Sequence, residues 1–252
     1  MIPVSVCIIA KNEEKNIEKC LQRLHKHPLE IIVVDTGSTD RTKQLAEKYA
    51  DRVLDFPWCD DFAKARNFAI SQAANDWVLM IDCDEFVEKF DFRETQRLMS
   101  EFPNAIGQLY RDNICYDKDK NILHSYDYVE RLFNRNYYKY EGSIHEQVVS
   151  IDGSELLGFE MPLTVTHTGY SGSDDDLLLK AKRNISLLLT ELQKAPKDPY
   201  LYYQLGESYM LICDYENAYS YFDQGFYLDV DENLEYVQRM LISYGYSLLY
   251  TN

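Results

Sequence analysis

Paired cysteine spacing, long apolar runs and a surplus of positive charge are all missing from this chain of 252 residues. The six cysteines, Cys7, Cys20, Cys59, Cys83, Cys115 and Cys213, include no C-x-x-C pair, which argues against structural zinc and a disulfide frame and for reduced thiols in a cytosolic protein. No apolar run approaches the ~20 residues that a membrane span needs. The opening "MIPVSVCIIA" is too short, and uncharged at its start, for a signal peptide, so neither leader nor anchor is expected. A net charge of -16 with no local basic patch excludes a surface built for phosphate backbones or anionic lipid. No Gly-rich loop bearing Lys or Arg follows the first apolar run, which argues against nucleotidyl transfer. What is present is a 46% hydrophobic composition, enough for one large domain and a small one, and 21 tyrosines, which suit a wet groove for a polar ring-shaped ligand or a repeat interface equally well.

The first 85 residues alternate strand-like with helix-like runs. "VSVCIIA" (4 to 10), "EIIVVD" (30 to 35), "RVLDF" (52 to 56) and "WVLMID" (77 to 82) read as strands, and the near-continuous apolar character of three of them marks strands buried on both faces. Between them Ile17, Cys20, Leu21 and Leu24, then Leu45, Ala46 and Tyr49, then Phe62, Ala65, Ala69 and Ala73 mark helix faces. This βαβαβαβ order predicts a parallel sheet covered by helices, with ligands beyond the carboxyl ends of the strands. Three polar clusters fall there: "KNEE" (11 to 14), "DTGSTD" (35 to 40) and "DCDE" (82 to 85). After residue 86 the pattern predicts a helix near 92 to 102 and strands at "AIGQLY", "YVERLFN" and "LTVTHTGY", a mixed sheet with longer loops.

"SGSDDD" (171 to 176) opens another segment, with Ser173 as a helix cap and three aspartates where the helix dipole favours them. A long amphipathic helix to about Lys194 follows and "APKDP" ends it. From Pro199, Tyr202, Leu205, Gly206, Tyr209, Ala218, Phe222 and Gly225 match the roughly 34-residue tetratricopeptide pattern, with Gly225 standing where alanine is usual; an ordinary helical hairpin is the alternative. Tyr244, Gly245 and Leu248 echo the pattern out of phase. Tyr244, Leu248, Leu249 and Tyr250 give the last helix an apolar face that needs cover from a longer array, from the preceding repeat or from a second copy. Packing on the preceding repeat together with a homodimer through the repeat segment is expected.

The blocks "VSVCIIAKNEE", "VVDTGSTDRT", "ARNFAI" and "IDCDE", in order over residues 3 to 86, resemble those of the family 2 glycosyltransferases of GT-A fold. "GSIHEQV" (142 to 148), "THTGY" (166 to 170) and "KRNISLL" (182 to 188) resemble the branch that carries C-terminal tetratricopeptide repeats. The resemblance implies an α/β, Rossmann-like nucleotide-diphospho-sugar transferase domain over 1–170, a connecting helix over 171–197 and a helical tetratricopeptide segment over 198–252. It further implies metal-dependent, inverting transfer of a hexosyl or N-acetylhexosaminyl group from a nucleotide-diphosphate donor, a UDP-sugar, to a glycan, lipid-linked or peptide acceptor.

A leaving diphosphate concentrates negative charge, which a divalent cation, Mn2+ or Mg2+, held by hard oxygen ligands neutralises. In an extended "DCD" the side chains at i and i+2 point the same way, so Asp82 and Asp84 are expected to face one ligand while Cys83 turns into the fold; the alternative is a carboxylate pair capping the next turn. The resemblance assigns Asp84 to the metal, Asp82 to the ribose or the metal shell, and His167 to the metal; a hydrogen-bonded core histidine is the other reading of His167. Asp35 can accept from uracil N–H or ribose hydroxyls, and Thr36 after it, where the family often has a second aspartate, leaves the nucleotide open. Ala10, Asn12 and Glu13 resemble nucleoside contacts. Arg66 suits a phosphate, an acid of the site or a surface ion pair, and Asp61 reads as a helix cap. Glu146 is the candidate base that takes the acceptor's proton, with His145 orienting it or binding the acceptor. The rival reading is a tetratricopeptide interaction scaffold on a degenerate transferase core.

Overall fold

The computed structural model describes residues 3–116, 121–168 and 174–251. Val4–Ala10 offers no polar face, and it forms the interior strand β1. Helix α1 (Ile17–Leu24) leads to β2 (Glu30–Asp35), α2 (Thr42–Ala46) to β3 (Arg52–Asp55), and α3 (Phe62–Ser71) to β4 (Trp77–Met80). Strands β1 to β4 are parallel, with β2 and β4 on either side of β1. The chain therefore reverses its winding direction at β1, which is where open α/β sheets leave a crevice at the strands' carboxyl ends.

Six further strands and a helix complete the first unit: β5 (Glu85–Phe90), α4 (Phe92–Glu101), β6 (Ile106–Tyr116), β7 (Ile122–Asn134), β8 (Tyr138–Glu141), β9 (Gln147–Ser150) and β10 (Gly158–His167). The large sheet runs β3-β2-β1-β4-β7-β6-β10-β5, while β8 and β9 form a separate hairpin. Strand β7 is antiparallel to β4 and β6, β10 is parallel to β6, and β5 is antiparallel to β10. One core layer joins Val6, Ile8, Ile31 and Leu79 to α1 and α2; the opposite layer joins Cys7, Ile32, Val78 and Met80 to Ala63 and Ala69 of α3, Phe133, and Tyr138 and Tyr140 of the hairpin. The architecture is the α/β class that the strand–helix alternation predicts, and helices follow it.

One local expectation changes. Strand β4 ends at Met80, so the segment from Asp82 to Asp84 is a turn rather than an extended strand end: the Glu85 N–H donates to the Asp82 carbonyl at 3.0 Å, and the Asp82 N–H donates to Glu85 Oε2 at 3.0 Å. Strand β5 follows immediately, without the Gly or Pro that usually announces a reversal, because these acid and backbone groups close the turn themselves. The expected cap at Ser173 lies outside the described residues.

The chain divides into two compact units, Met1–Ser171 and Gly172–Asn252. In the second, α5 (Asp174–Lys194) packs on α6 (Pro199–Leu211), α6 on α7 (Tyr215–Phe226), and α8 (Glu235–Tyr250) on both α6 and α7. Pro199 sits in the first turn of α6 behind Asp198, whose carboxylate accepts from the Tyr200 N–H at 2.9 Å, and Asp214 caps α7 through the Asn217 N–H at 3.2 Å. Phe222, fully buried, lies flat against Gly206, where an added Cβ would stand 2.2 Å from the ring. At Gly225 a Cβ would meet Met240 Cε at 2.4 Å and Tyr202 Cβ at 2.9 Å, which is the physical reason for glycine where the repeat pattern has alanine.

Gly206→Ala gains helix propensity yet forces a ring to move in a packed core, so it is expected to lower unfolding stability by ~1–3 kcal/mol, the range of overpacking substitutions. Urea denaturation followed by circular dichroism measures it, and a stabilised variant would contradict the packing.

Candidate active site

Three acids end the apolar run at β4; two of them, Asp82 and Glu85, share Arg131, and Asp84 faces away from the arginines. Asp82 is held through both oxygens: Arg66 Nη2 reaches Oδ1 at 2.9 Å and Arg131 Nη2 reaches Oδ2 at 2.6 Å. Glu85, 0% exposed, takes Arg131 Nη2 at 2.8 Å and Arg111 Nη1 at 3.4 Å on one oxygen. Arg111 also forks onto Asp127 at 2.9 and 2.6 Å. Arg66 Nε donates to Glu146 Oε1 at 2.5 Å. A carboxylate loses its hydration when buried, and fixed guanidinium donors replace that hydration here. Burial opposes ionisation of Asp82, but the Arg131 and Arg66 charges outweigh it and hold its carboxyl well below the usual carboxylate range. Both arginines stay protonated despite burial because Asp82, with Glu146 beside Arg66 and Glu85 beside Arg131, favours the cation.

Asp84 points elsewhere. Its Oδ2 lies 3.6 Å from His167 Nε2, across the end of β10, and the Thr168 N–H donates to its carbonyl at 3.1 Å. The expected common facing of Asp82 and Asp84 is thus not what the turn produces: Asp82 faces the arginines and Asp84 faces His167. Cys83 does turn inward, its thiol donating to the Ile9 carbonyl at 3.5 Å, and burial pushes that thiol far above its ordinary pKa, so it is inert at neutral pH. Among the described residues no three His, Cys, Asp or Glu side chains assemble a ready cation cage. Asp84 and His167 supply two acceptors, a set that suits a divalent ion completed by substrate phosphate oxygens.

The neighbouring strand ends carry the residues expected to contact a nucleoside. Asp35, 4% exposed, accepts the N–H groups of Gly37 and Ser38 at 2.8 Å each on Oδ1, while Oδ2 is buried with no hydrogen-bond partner. Gly37 adopts φ +102°, which the turn requires. Ala10 is paired with Asp35 across β1 and β2, and its carbonyl accepts from Thr36. Asn12, at φ +56°, fastens the first loop to the second: its N–H donates to Ser38 Oγ at 2.9 Å and its Oδ1 accepts from the Thr39 N–H at 2.8 Å. The Glu13 N–H donates to Thr42 Oγ1 at 2.7 Å and its carboxylate accepts from Asn16 Nδ2 at 2.9 Å. Asn12 and Glu13 therefore shape the crevice wall through local bonds.

The loop between β8 and β9 brings Glu146 into the cluster. The Phe62 N–H at the start of α3 donates to the Ser143 carbonyl at 2.8 Å, and Asp61 caps that helix through the Lys64 N–H, as its position predicts. Asn67, in the helix turn that carries Arg66, clamps the Tyr140 backbone with Nδ2 to the carbonyl at 2.8 Å and Oδ1 to the N–H at 3.0 Å. His145 adopts φ +52°, a conformation that costs ~1–3 kcal/mol for a side chain of this kind and persists only where its surroundings enforce it. It is exposed beside Glu146, which is only 11% exposed. The Tyr140 ring lies 5.4 Å from the Arg66 guanidinium, and Tyr140 Oη, Arg66 Nη1 and Arg131 Nε are buried without hydrogen-bond partners.

Sequence reasoning placed Asp82 and Asp84 at the strand edge, named Arg66, Glu146 and His167 as further candidates, and overlooked Arg111, Arg131, Asp127, Asn113 and Asn67. The one local signal for these was a charged residue, Arg131, inside the apolar end of "YVERLFN".

The family model for glycosyl transferase family 2 matches residues 5–153. The SPbeta prophage-derived glycosyltransferase SunS of Bacillus subtilis strain 168 is 30% identical over 230 residues, 87% of this chain and 52% of that protein. A TPR repeat-containing protein of Synechococcus elongatus is 29% identical over 234 residues, 89% of this chain and 57% of its own length. The chain thus spans about half the length of the curated relatives it matches. Among solved structures, residues 1–349 of S. aureus TarS in complex with UDP-GlcNAc superpose with a TM-score of 0.49 at 17% identity, covering 100% of this chain and 82% of that one.

Removing one partner of a fully buried pair leaves the other charge uncompensated, so Glu85→Ala is expected to cost ~3–5 kcal/mol in denaturant unfolding. Asp82, with its pKa depressed on folding, stabilises fully above its unfolded value near 3.8, and that contribution fades as pH falls below it. Asp82→Asn is therefore expected to start less stable and to lose stability less steeply below about pH 4, measured by thermal melts along a pH series; equal slopes would contradict the pairing.

Proposed function

Because the chain belongs to glycosyl transferase family 2, we propose that it transfers a hexosyl or N-acetylhexosaminyl group from a UDP-sugar to a glycan, lipid-linked or peptide acceptor with inversion at the anomeric carbon. The observation that carries this reading is the pair of acceptors, Asp84 and His167, set at the crevice edge beside an Asp82 already neutralised by arginine. A divalent cation, Mn2+ or Mg2+, would be held by Asp84 and His167 and would supply charge neutralisation for the leaving diphosphate. Asp82, oriented by Arg66 and Arg131, is the carboxylate available to a ribose hydroxyl. Asp35 Oδ2 is a buried acceptor in want of a donor, which suits a base N–H or a ribose O–H admitted by a small shift of the β2–α2 loop. Glu146 takes the acceptor's proton and His145, exposed beside it, binds the acceptor; the ion pair with Arg66 fixes Glu146 in place.

Helices α6 and α7 supply the close Gly206–Phe222 packing of a tetratricopeptide hairpin, in line with the Synechococcus relative, and the outward side of α8 exposes Leu241, Ile242 and Leu249. A second copy of the chain is the cover proposed for that side. Leu249→Glu is expected to shift a dimer to monomer in light scattering without loss of stability, and a wild type that stays monomeric at high concentration excludes the contact.

UDP binding is expected to require Mn2+ or Mg2+ in calorimetry, and Asp84→Ala to remove that requirement along with most of the affinity. Equal, metal-independent affinity in both proteins rules the reading out. Glu146→Gln is expected to leave donor affinity near wild type while transfer falls ~10²-fold or more; full activity toward a hydroxyl acceptor moves the base elsewhere.

A further inference from the structure

His167 ends a run of hydrogen bonds whose direction is fixed by chemistry. Arg111 donates twice to Asp127, whose oxygens as a carboxylate can only accept. Asn113 lies 3.1 Å from Asp127 Oδ1 through Nδ2, so the amide must donate there, and its Oδ1 is left facing the imidazole. That oxygen, an acceptor only, stands 2.7 Å from His167 Nδ1, so Nδ1 must carry the proton. Asn113 is 6% exposed, and β6 pairs with β10 at these very residues, Asn113 opposite His167, so the amide has little freedom to turn over. Burial opposes the charge on Asp127, but the bonds from Arg111 and Asn113 prevail and keep its carboxyl below the usual range, which preserves its role as acceptor.

We infer that Asn113, oriented by Asp127 and Arg111, is a positioning residue that locks neutral His167 in the Nδ1–H tautomer and thereby turns an unprotonated Nε2 toward the cation site shared with Asp84. The opposite tautomer would place a proton between Nε2 and Asp84 Oδ2, now 3.6 Å apart, and would close the nitrogen to a metal. The polar partner behind a metal-binding imidazole commonly sets its tautomer and basicity. This inference rests on the proposed metal reading, but its first half concerns the metal-free protein alone.

The test is nitrogen-15 NMR of His167 in the metal-free protein, titrated to the neutral imidazole, alongside calorimetry with Mn2+ alone. Wild type is expected to show protonated Nδ1 and unprotonated Nε2. Asn113→Leu, close in volume, removes the acceptor, and Asp127→Asn lets the Asn113 amide turn over. Both are expected to give a tautomer mixture and to weaken Mn2+ binding by ~10- to 100-fold, the scale for losing such a partner, while the circular dichroism spectrum stays that of wild type. A wild-type His167 protonated at Nε2 overturns the inference, as does a Mn2+ affinity unchanged in both variants. Wild type that shows the Nδ1–H form but takes up no Mn2+ overturns the metal reading and upholds the tautomer lock.

Discussion

The three arginines between the acids at the strand ends are the constraint from which the rest of the site follows. Arg66 comes from α3, Arg131 from β7 and Arg111 from β6, and they reach Asp82 and Glu85 of the β4–β5 turn, Glu146 of the β8–β9 loop and Asp127 of β7. Each guanidinium bridges two carboxylates, so helix, sheet and loop are fixed to one another by charge at a place where the hydrophobic layers give out. An apolar replacement of the whole cluster could be as stable. It could not present carboxylates at set positions beside a crevice, which is what a site of this class has to do.

The sheet was legible because strands buried on both faces are written as continuous apolar runs. Strands β1 and β2 and helix α1 fall where their apolar patterns place them, and β4 begins where its run begins. The turn at Asp82–Glu85 was not legible, since an acidic run carries none of the usual reversal residues and its closing bonds depend on three-dimensional placement. Taking that segment as extended led to the expectation that Asp82 and Asp84 share one facing. The short hairpin β8–β9 escaped notice for a related reason: "YKYE" and "QVVS" are four residues each, too short to display a period.

Site residues divide along the same line. Asp82, Asp84, Asp35 and Glu146 stand in blocks whose order along the chain carries information. Arg131 and Arg111 pair with acids 46 and 26 residues away, across strands whose adjacency no local pattern encodes. Asn113 reaches His167 only because β6 and β10 run parallel in register at that point. Polar partners that orient a site are set by tertiary register, and single-sequence reasoning loses them even when it finds the groups they orient.

The arginines also divide the site's charge into a permanent and an exchangeable part. The connected cluster holds five carboxylates, Asp82, Asp84, Glu85, Asp127 and Glu146, against three guanidiniums, an excess of two acids over arginines. Asp84 is the member that no arginine touches among the described residues, and it faces His167 Nε2 instead. On the proposed reading one divalent ion brings the cluster to neutrality, so the residual field no longer repels an incoming diphosphate. Were Asp82 unpaired as well, the deficit would be larger and one ion would not cancel it; were Asp84 paired with arginine, the ion would have lost its carboxylate. The turn that points these two residues apart is therefore what separates an acid paired with arginine from one that, on the proposed reading, holds the cation.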